Sequence, residues 1–250
     1  MRPGSAMIGV AGEPAVRRRR RNVGAMSRSR LAVIALVSLG ATAVLCFAVS
    51  RGFNAFRLER HATSILGRPT HDFGPPFWGA GRPPSAELWG RLADVLATPV
   101  IAVVLVACLI FGAFKRVLWR VVTGIGFAAL AFVINDDVVK PLVHQKFYGE
   151  LSFPSGNVTI VCATALAMWI ALYPVLGRWS RIITFMIGAG WTLVMSLAVV
   201  GAFWHTPLDV IGALLLSVGV VTAGAAVFEA NKTTPAPPVG RQPVRVTAGV

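Results

Sequence analysis

Six long apolar segments dominate the sequence, and they constrain its fold more than any other feature. Each holds about 20 residues, mostly Leu, Val, Ala, Ile and Gly, which is the length that a helix needs to cross a bilayer. None alternates like a β-strand, and an isolated helix satisfies its own backbone hydrogen bonds in lipid. We therefore predict an all-α fold, a polytopic membrane protein with a six-transmembrane-helix bundle. The predicted segments are 31–50, 93–114, 121–139, 157–176, 182–202 and 209–228.

The composition favours a membrane protein over a nucleic-acid-binding one. Hydrophobic residues make up 55% of the 250 positions and charged residues only 14%, which is too apolar for an ordinary soluble domain. The net charge of +14 would suit nucleic acid, but the basic residues separate apolar segments instead of covering one face. Cys46, Cys108 and Cys162 all lie in apolar segments, so we predict neither a disulfide framework nor a metal site.

Polar stretches flank and interrupt a membrane domain that we predict to span residues 31–229. Residues 1–30, with five consecutive arginines, and the tail 230–250 are predicted to be disordered and cytoplasmic. The first apolar segment is too long for a signal-peptide core and is interpreted as a retained anchor. Loop 51–92 is rich in Pro, Gly and aromatic residues and is predicted to cap the surface, with residues 85–92 starting the second helix early.

The distribution of basic residues predicts how the bundle is oriented. Most of the 24 lysines and arginines lie before the first segment, between segments two and three, between four and five, and after six. Because cytoplasmic loops are enriched in these residues, both termini are predicted to be cytoplasmic. Loop 51–92, loop 140–156 and turn 203–208 then face outside. The richness in Ala, Val, Gly and Arg is typical of GC-rich bacterial genomes, so the expected location is the plasma (bacterial inner) membrane.

Three polar stretches lie at the outward-facing ends of the helices and could share one site. They are NDDVVKPLVHQK (135–146), FPSGN (153–157) and FWHTPLD (203–209). In the third stretch, His205 and Asp209 are four residues apart, so a carboxylate could orient the imidazole as a histidine nucleophile requires. Alternatively, Thr206 is a helix N-cap and Asp209 satisfies the first turn.

The first two stretches also allow both a functional and an ordinary interpretation. Ser155 and Gly156 open the fourth segment, where backbone amides and a hydroxyl can bind an anion, or the serine can be a simple N-cap. Lys140 and Lys146 can neutralise a phosphate, or their charges can lie at the membrane surface. Asp136 is placed to pair with Lys140 four residues later. Asp137, the next residue, is a second carboxylate near the end of the third segment.

Together, the three stretches resemble the motifs of the type 2 phosphatidic acid phosphatase family. These membrane enzymes are related to vanadium haloperoxidases and remove phosphate from lipid phosphates. The resemblance covers about residues 90–229 and rests on the lysine after segment three, PSG before segment four and HTPLD before segment six. It implies six helices, an outward-facing site, a phospholipid or polyprenyl phosphate as substrate, and neither a metal nor another cofactor. It does not predict an oligomeric state.

The resemblance also implies a role for each matching residue. His205 corresponds to the nucleophile that becomes phosphohistidine, and Asp209 to the carboxylate that orients it. Lys140 corresponds to the first phosphate-binding lysine. Ser155 and Gly156 correspond to the hydroxyl and the amide that contact the phosphate oxygens.

The chain departs from the family pattern where further phosphate-binding groups are expected. An expected Arg-Pro is replaced by Phe147-Tyr148, which leaves Lys146 as the nearest cation. An expected Ser-Arg is replaced by Ala198-Val199, so a bidentate clamp on the phosphate is absent.

The third departure concerns the proton that the leaving group requires. The histidine that would supply it is Asn157, which can contact a phosphate or leaving oxygen by hydrogen bonding but cannot donate a proton near neutral pH. His144 in the neighbouring loop is the candidate substitute acid. The sequence therefore leaves open a weak or specialised phosphatase and a non-catalytic relative that binds lipid phosphate or scaffolds partners. A small transporter is disfavoured, because the segments show no internal repeat.

Overall fold

The six apolar segments all form helices in the computed structural model, which describes residues 27–51, 84–147 and 150–233. Six helices within these ranges are long and apolar enough to cross a membrane. The all-α prediction of a six-helix bundle is confirmed. The predictions for residues 1–26, 52–83 and 234–250, which include most of loop 51–92, lie outside the described residues.

The helices begin and end close to the predicted boundaries. A π-helical turn, Ile134–Val139, connects the third helix to a short fourth one, so that Leu118–Val143 form one continuous span. A 3-10 turn, Tyr173–Val175, follows the fifth helix. A minimal antiparallel hairpin of β1 (Lys146–Phe147) and β2 (Glu150–Leu151) lies between spans three and four. The helices are α1 (Arg28–Ser50), α2 (Pro84–Phe114), α3 (Leu118–Val133), α4 (Lys140–Val143), α5 (Gly156–Leu172), α6 (Arg178–Gly201) and α7 (Pro207–Thr233).

One helix boundary agrees with a specific prediction, and two others differ from the expected ones. Helix α2 begins at Pro84, so residues 85–92 belong to the second helix, as predicted. Helix α1 begins at Arg28, inside the stretch predicted to be disordered, because Ser27 caps it by accepting a hydrogen bond from the backbone N–H of Arg30. Helix α7 continues to Thr233, past the predicted domain end at residue 229.

Successive spans run antiparallel, and the bundle therefore has two distinct ends. At the end that we call the turn end, Val49 of α1, Val143 of α4 and Phe153 pack in one buried cluster. At the opposite end, Leu31 of α1 packs against α7, and Arg120 pairs with Glu229 at 2.5 Å. We call this second end the basic end, because it also carries the cations that begin α1, end α2 and begin α6. These cations are Arg28, Arg30, Lys115, Arg116, Arg178 and Arg181.

Helices α5 and α7 form the centre of the bundle. Helix α5 contacts α2, α3, α6 and α7, while α1 packs along α7. Large apolar side chains on the outer helices, such as Leu36, Val103 and Ile187, are exposed. This pattern suits a lipid environment, in which helices associate through close packing of small residues rather than by hiding apolar surface from water.

Helix α2 is attached to α6 at two levels. At mid-height, Pro99 interrupts the hydrogen-bond ladder of α2, and the nearby Leu96 carbonyl accepts a hydrogen bond of 3.1 Å from Trp191 Nε1. At the turn end, the ring of Trp89 packs against Gly201. Helix α2 thereby holds the end of α6, from which the loop to α7 departs.

The turn before α5 is fixed to α7 by an aromatic contact. Phe153 is fully buried, and its ring lies directly against the backbone of Gly212. A Cβ atom at Gly212 would lie only 2.6 Å from two ring atoms, a distance that real contacts do not reach. Glycine at this position therefore sets the distance between the turn and α7.

Replacing Gly212 by alanine is expected to destabilise the bundle. The added methyl group must displace a buried ring, and overpacking of this kind typically costs about 1–3 kcal/mol. Gly190 of α6 is the matched control, because a Cβ there meets nothing within 4 Å. Thermal unfolding in detergent should show a lower Tm for Gly212→Ala and an unchanged or slightly raised Tm for Gly190→Ala. Equal Tm values for the two variants would contradict this account.

Candidate active site

The N-terminus of α5 lies inside the bundle at the turn end. Ser155 is fully buried and caps the helix, since its Oγ accepts a hydrogen bond from the Val158 N–H at 3.5 Å. The predicted N-cap interpretation of Ser155 is therefore confirmed as geometry. The remaining amides of the first turn point toward the same end and could also bind an anion, so the cap does not exclude the functional interpretation.

Lys140 reaches the N-terminus of α5 from the preceding span. Its Nζ lies 2.5 Å from Asp136 Oδ1, as predicted from the spacing of four residues. Both charged atoms lie 3.3 Å from the position that a Cβ of Gly156 would occupy. The absence of a side chain at Gly156 thus allows the ion pair to rest on the first turn of α5. The neighbouring Asp137 is exposed.

Asn135 is a site residue that the sequence analysis passed over. It is fully buried within the span, and its Nδ2 donates to Asp136 Oδ1 at 2.9 Å and to the Pro154 carbonyl at 3.5 Å. Its Oδ1 accepts a hydrogen bond from Thr159 Oγ1 at 3.3 Å. The sequence did contain a signal for this residue, namely a side-chain amide inside an apolar segment. Polar groups buried in membrane helices need hydrogen-bond partners, so such a residue is expected to contact another polar group.

His205 and Asp209 form the third element of the site. Helix α7 begins with a capping box in which the Thr206 N–H donates to Asp209 Oδ2 at 2.9 Å and the Asp209 N–H donates to Thr206 Oγ1 at 3.3 Å. His205 Nδ1 lies 3.6 Å from the same Oδ2 atom. The two interpretations of these residues therefore hold together, since one carboxylate both caps the helix and faces the imidazole.

The polar atoms that face each other in this pair are removed from solvent. Asp209 is fully buried, and 13% of the His205 side chain is exposed. Within the described residues, Asp209 Oδ1 and His205 Nδ1 are both buried without a hydrogen-bond partner. Buried polar atoms of this kind are uncommon, and a catalytic role is one of the explanations for them. The distance of 3.6 Å is too long for a hydrogen bond, although catalytic contacts often shorten only when substrate binds.

A single backbone hydrogen bond connects the two helix starts. The Ser155 N–H donates to the Asp209 carbonyl oxygen at 3.1 Å. Because Lys140 rests on Gly156, this bond brings all three polar stretches of the sequence to one place at the turn end. The backbone N–H groups of Trp204 and His205 both donate to the Val199 carbonyl, which holds the histidine at the end of α6.

The three remaining predicted site residues lie on different elements. His144 ends α4 with a left-handed backbone, φ 52°, and its side chain is exposed. Asn157 lies in the first turn of α5 and is half-buried. Lys146 lies in strand β1, and its side chain, like residue Tyr148, falls outside the part of the chain that the structure describes.

The two positions at which the resemblance implied Ser-Arg are part of the apolar core. Ala198 and Val199 are fully buried in a cluster with Met195, Val158 and Val161. An arginine at Val199 would therefore bury a charge among aliphatic side chains. No polar side chain at these two positions takes the place of the implied arginine.

Comparisons with known proteins identify a family and a similar fold. Residues 135–232 match the sequence profile of the PAP2 superfamily. The fold is similar to the crystal structure of a transmembrane PAP2 type phosphatidylglycerolphosphate phosphatase from Bacillus subtilis, with a TM-score of 0.56 over 78% of this chain and 96% of that chain. The two sequences are 13% identical, so this likeness concerns the fold alone. No curated protein matches the chain at a significant level.

The matched residues 135–232 contain the lysine, the PSG turn and the HTPLD stretch on which the resemblance was based. The predicted resemblance is therefore confirmed over these residues, and the chain is an integral membrane protein in which residues 135–232 match the PAP2 superfamily.

Proposed function

We propose that the protein is a lipid-phosphate phosphatase that acts at the outer membrane surface through a phosphohistidine on His205. The observation that carries this proposal is the 3.1 Å hydrogen bond from the Ser155 N–H to the Asp209 carbonyl. It joins a helix N-terminus suited to phosphate with a buried histidine–carboxylate pair. The match to the PAP2 superfamily and the fold shared with a membrane phosphatase support a reaction of this class.

The phosphate would bind at the first turn of α5. The Gly156 amide and the Ser155 hydroxyl would contact its oxygens, and Asn157 would add a neutral hydrogen bond. Lys140 has three N–H donors, so it can contact a phosphate while it keeps Asp136. Lys146 supplies a second cation if its side chain turns toward the same site.

His205 would act as the nucleophile through its Nε2 atom. Its Nδ1 faces Asp209, which leaves Nε2 to form the bond to phosphorus while the bond from phosphorus to the leaving oxygen breaks. The carboxylate stabilises the positive charge that develops on the imidazole. In this scheme the leaving oxygen takes a proton from His144, the candidate substitute acid. Water then attacks phosphorus and returns a proton to His144, which releases inorganic phosphate and regenerates His205. No metal or other cofactor is required in this scheme.

The two ends of the bundle support a proposal for the orientation of the site. The described beginning of α1 and end of α7 lie at the basic end, opposite the site. Basic residues favour the cytoplasmic side. We therefore propose cytoplasmic termini and a site that faces outward from a bacterial inner membrane, where it would accept phospholipid or polyprenyl phosphates.

A second candidate function is lipid-phosphate binding or scaffolding without catalysis. It is favoured by Asn157, which cannot donate a proton, and by the burial of Val199 in an apolar cluster. The lost acid and the lost guanidinium would both slow phosphoryl transfer without preventing the binding of a headgroup. Measurements of turnover separate the two functions.

Phosphate release by the detergent-purified protein, measured over a panel of lipid phosphates, is expected to depend on His205. Because the nucleophile is lost, His205→Ala should reduce turnover at least about a thousandfold. Asp209→Asn retains the shape of the side chain and should give a smaller loss. Near-wild-type Tm values must accompany both results. Phosphate release that is equal in the wild type and His205→Ala would overturn the phosphohistidine mechanism, and no release by a folded wild type would favour the binding function.

If His144 does not supply the leaving-group proton, Asn157→His is expected to raise kcat by about 100-fold or more, since general acid catalysis contributes this much. The change can be tested alone, because Asn157 is half-buried in a helical turn whereas an arginine at Val199 would be buried without a partner. Asn157→Gln is the control that lengthens the side chain without adding a titratable group. A histidine variant no faster than the glutamine variant would show that proton donation does not limit the reaction.

The hypothesis that His144 is the substitute acid makes a separate prediction. His144→Ala should reduce kcat about 100-fold. Adding Asn157→His to that variant should restore the rate. Full activity in His144→Ala would eliminate this role.

A further inference from the structure

The polar contacts of Asn135 extend to both segments that approach the phosphate. Its Nδ2 contacts the Asp136 carboxylate on the lysine-bearing span and the Pro154 carbonyl in the turn before α5. Thr159, which donates to Asn135 Oδ1, also donates to the Ser155 carbonyl at 2.8 Å. One fully buried amide thus connects the ion pair of Lys140 to the turn that begins α5.

The backbone of the π-helical turn connects Asn135 directly to Lys140. The Lys140 N–H donates to the Asn135 carbonyl five residues earlier, in place of the usual spacing of four. The wider turn rotates the two residues toward the same side of the span, where Asn135 meets Pro154 and Lys140 meets Gly156. Single π-helical turns inside α-helices are frequent at functional sites.

We propose that Asn135 is a positioning residue, which holds the Asp136–Lys140 pair against the first turn of α5 so that the ammonium group is already in place when a phosphate binds. This inference rests on the proposed function for its ligand and deepens it. Asn135 contacts the turn and the ion pair, and it acts on the ligand only through Lys140. A lysine side chain has considerable rotational freedom, so fixing its charge in advance lowers the entropy that binding must remove.

A purely structural role would have different consequences. If Asn135 only stabilised the helix pair, its replacement would lower the Tm without changing Lys140 in the folded protein. If it positions Lys140 through Asp136, its effect must disappear when the Asp136 carboxylate is removed. The structural and the positioning roles therefore predict different reactivities for Lys140. They also predict different coupling between substitutions at Asn135 and Asp136.

The test uses Asn135→Leu, which introduces an apolar side chain of similar size and removes the hydrogen bonds of the amide. The first measurement is the rate at which a water-soluble amine reagent labels Lys140 in the full-length protein, read by mass spectrometry with Lys115 at the basic end as internal reference. We expect labelling of Lys140 to rise about tenfold. The second measurement is the Kd for orthovanadate, a phosphate mimic, which should also rise about tenfold, the size expected for a lost hydrogen bond to a charged group.

Two further variants make the result specific. Thr222→Val removes a buried hydroxyl of α7 whose hydrogen-bond partners among the described residues, Val218 and Gly219, lie in the same helix, and it should change neither quantity. Asp136→Asn provides the background for a double-mutant cycle, in which Asn135→Leu should change the Kd by less than about twofold. If Asn135→Leu does not fold, Thr159→Val removes one contact of the same network and should raise Lys140 labelling in the same direction.

The outcomes separate the inference from the proposed function. Faster labelling of Lys140 together with a coupled loss of vanadate affinity supports both. Faster labelling in a protein that neither binds vanadate nor releases phosphate supports the positioning by Asn135 and overturns the phosphatase. Unchanged Lys140 labelling in a folded variant overturns the inference, and so does an equal loss of affinity with and without the Asp136 carboxylate.

Discussion

The buried beginnings of α5 and α7 are the constraint on which the rest of the site depends. The first N–H groups of a helix have no hydrogen-bond acceptor within that helix. These two helices begin inside the bundle, where few water molecules can act as the acceptor. The side chains of Ser155 and Thr206 cap their own helices. The backbone N–H of Ser155 donates a hydrogen bond to the Asp209 carbonyl. The requirement to satisfy these groups fixes the two helix starts next to each other, and the chemistry of the site follows from that neighbourhood.

Asp209 shows how a structural requirement and a chemical one can be met by the same atom. Its Oδ2 accepts the Thr206 N–H, which fixes the carboxylate, and it then faces His205 Nδ1 from a fixed position. A carboxylate held in this way needs no further reorganisation when charge develops on the imidazole. The helix cap is thus the reason why the histidine and its partner are oriented before any ligand arrives.

The sequence predicted most of the fold and part of the site, for identifiable reasons. The spans were predictable because twenty apolar residues have few alternatives in a bilayer, and the Asp136–Lys140 pair was predictable from helical spacing. Asn135 was missed because its partners, Pro154 and Thr159, lie in another span, and no periodic pattern records such a contact. The π-helical turn was missed for the same reason, since it depends on what packs beside the helix and not on local propensity.

The close pairing of Lys140 with Asp136 has a consequence for how a ligand would find the site. Two opposite charges 2.5 Å apart act at a distance as a dipole, whose field falls off much faster than that of a single cation. An anionic headgroup would therefore feel little attraction from this pair at a distance. Encounter would depend on lateral diffusion within the leaflet and on shape at the turn end, so its rate should respond only weakly to ionic strength.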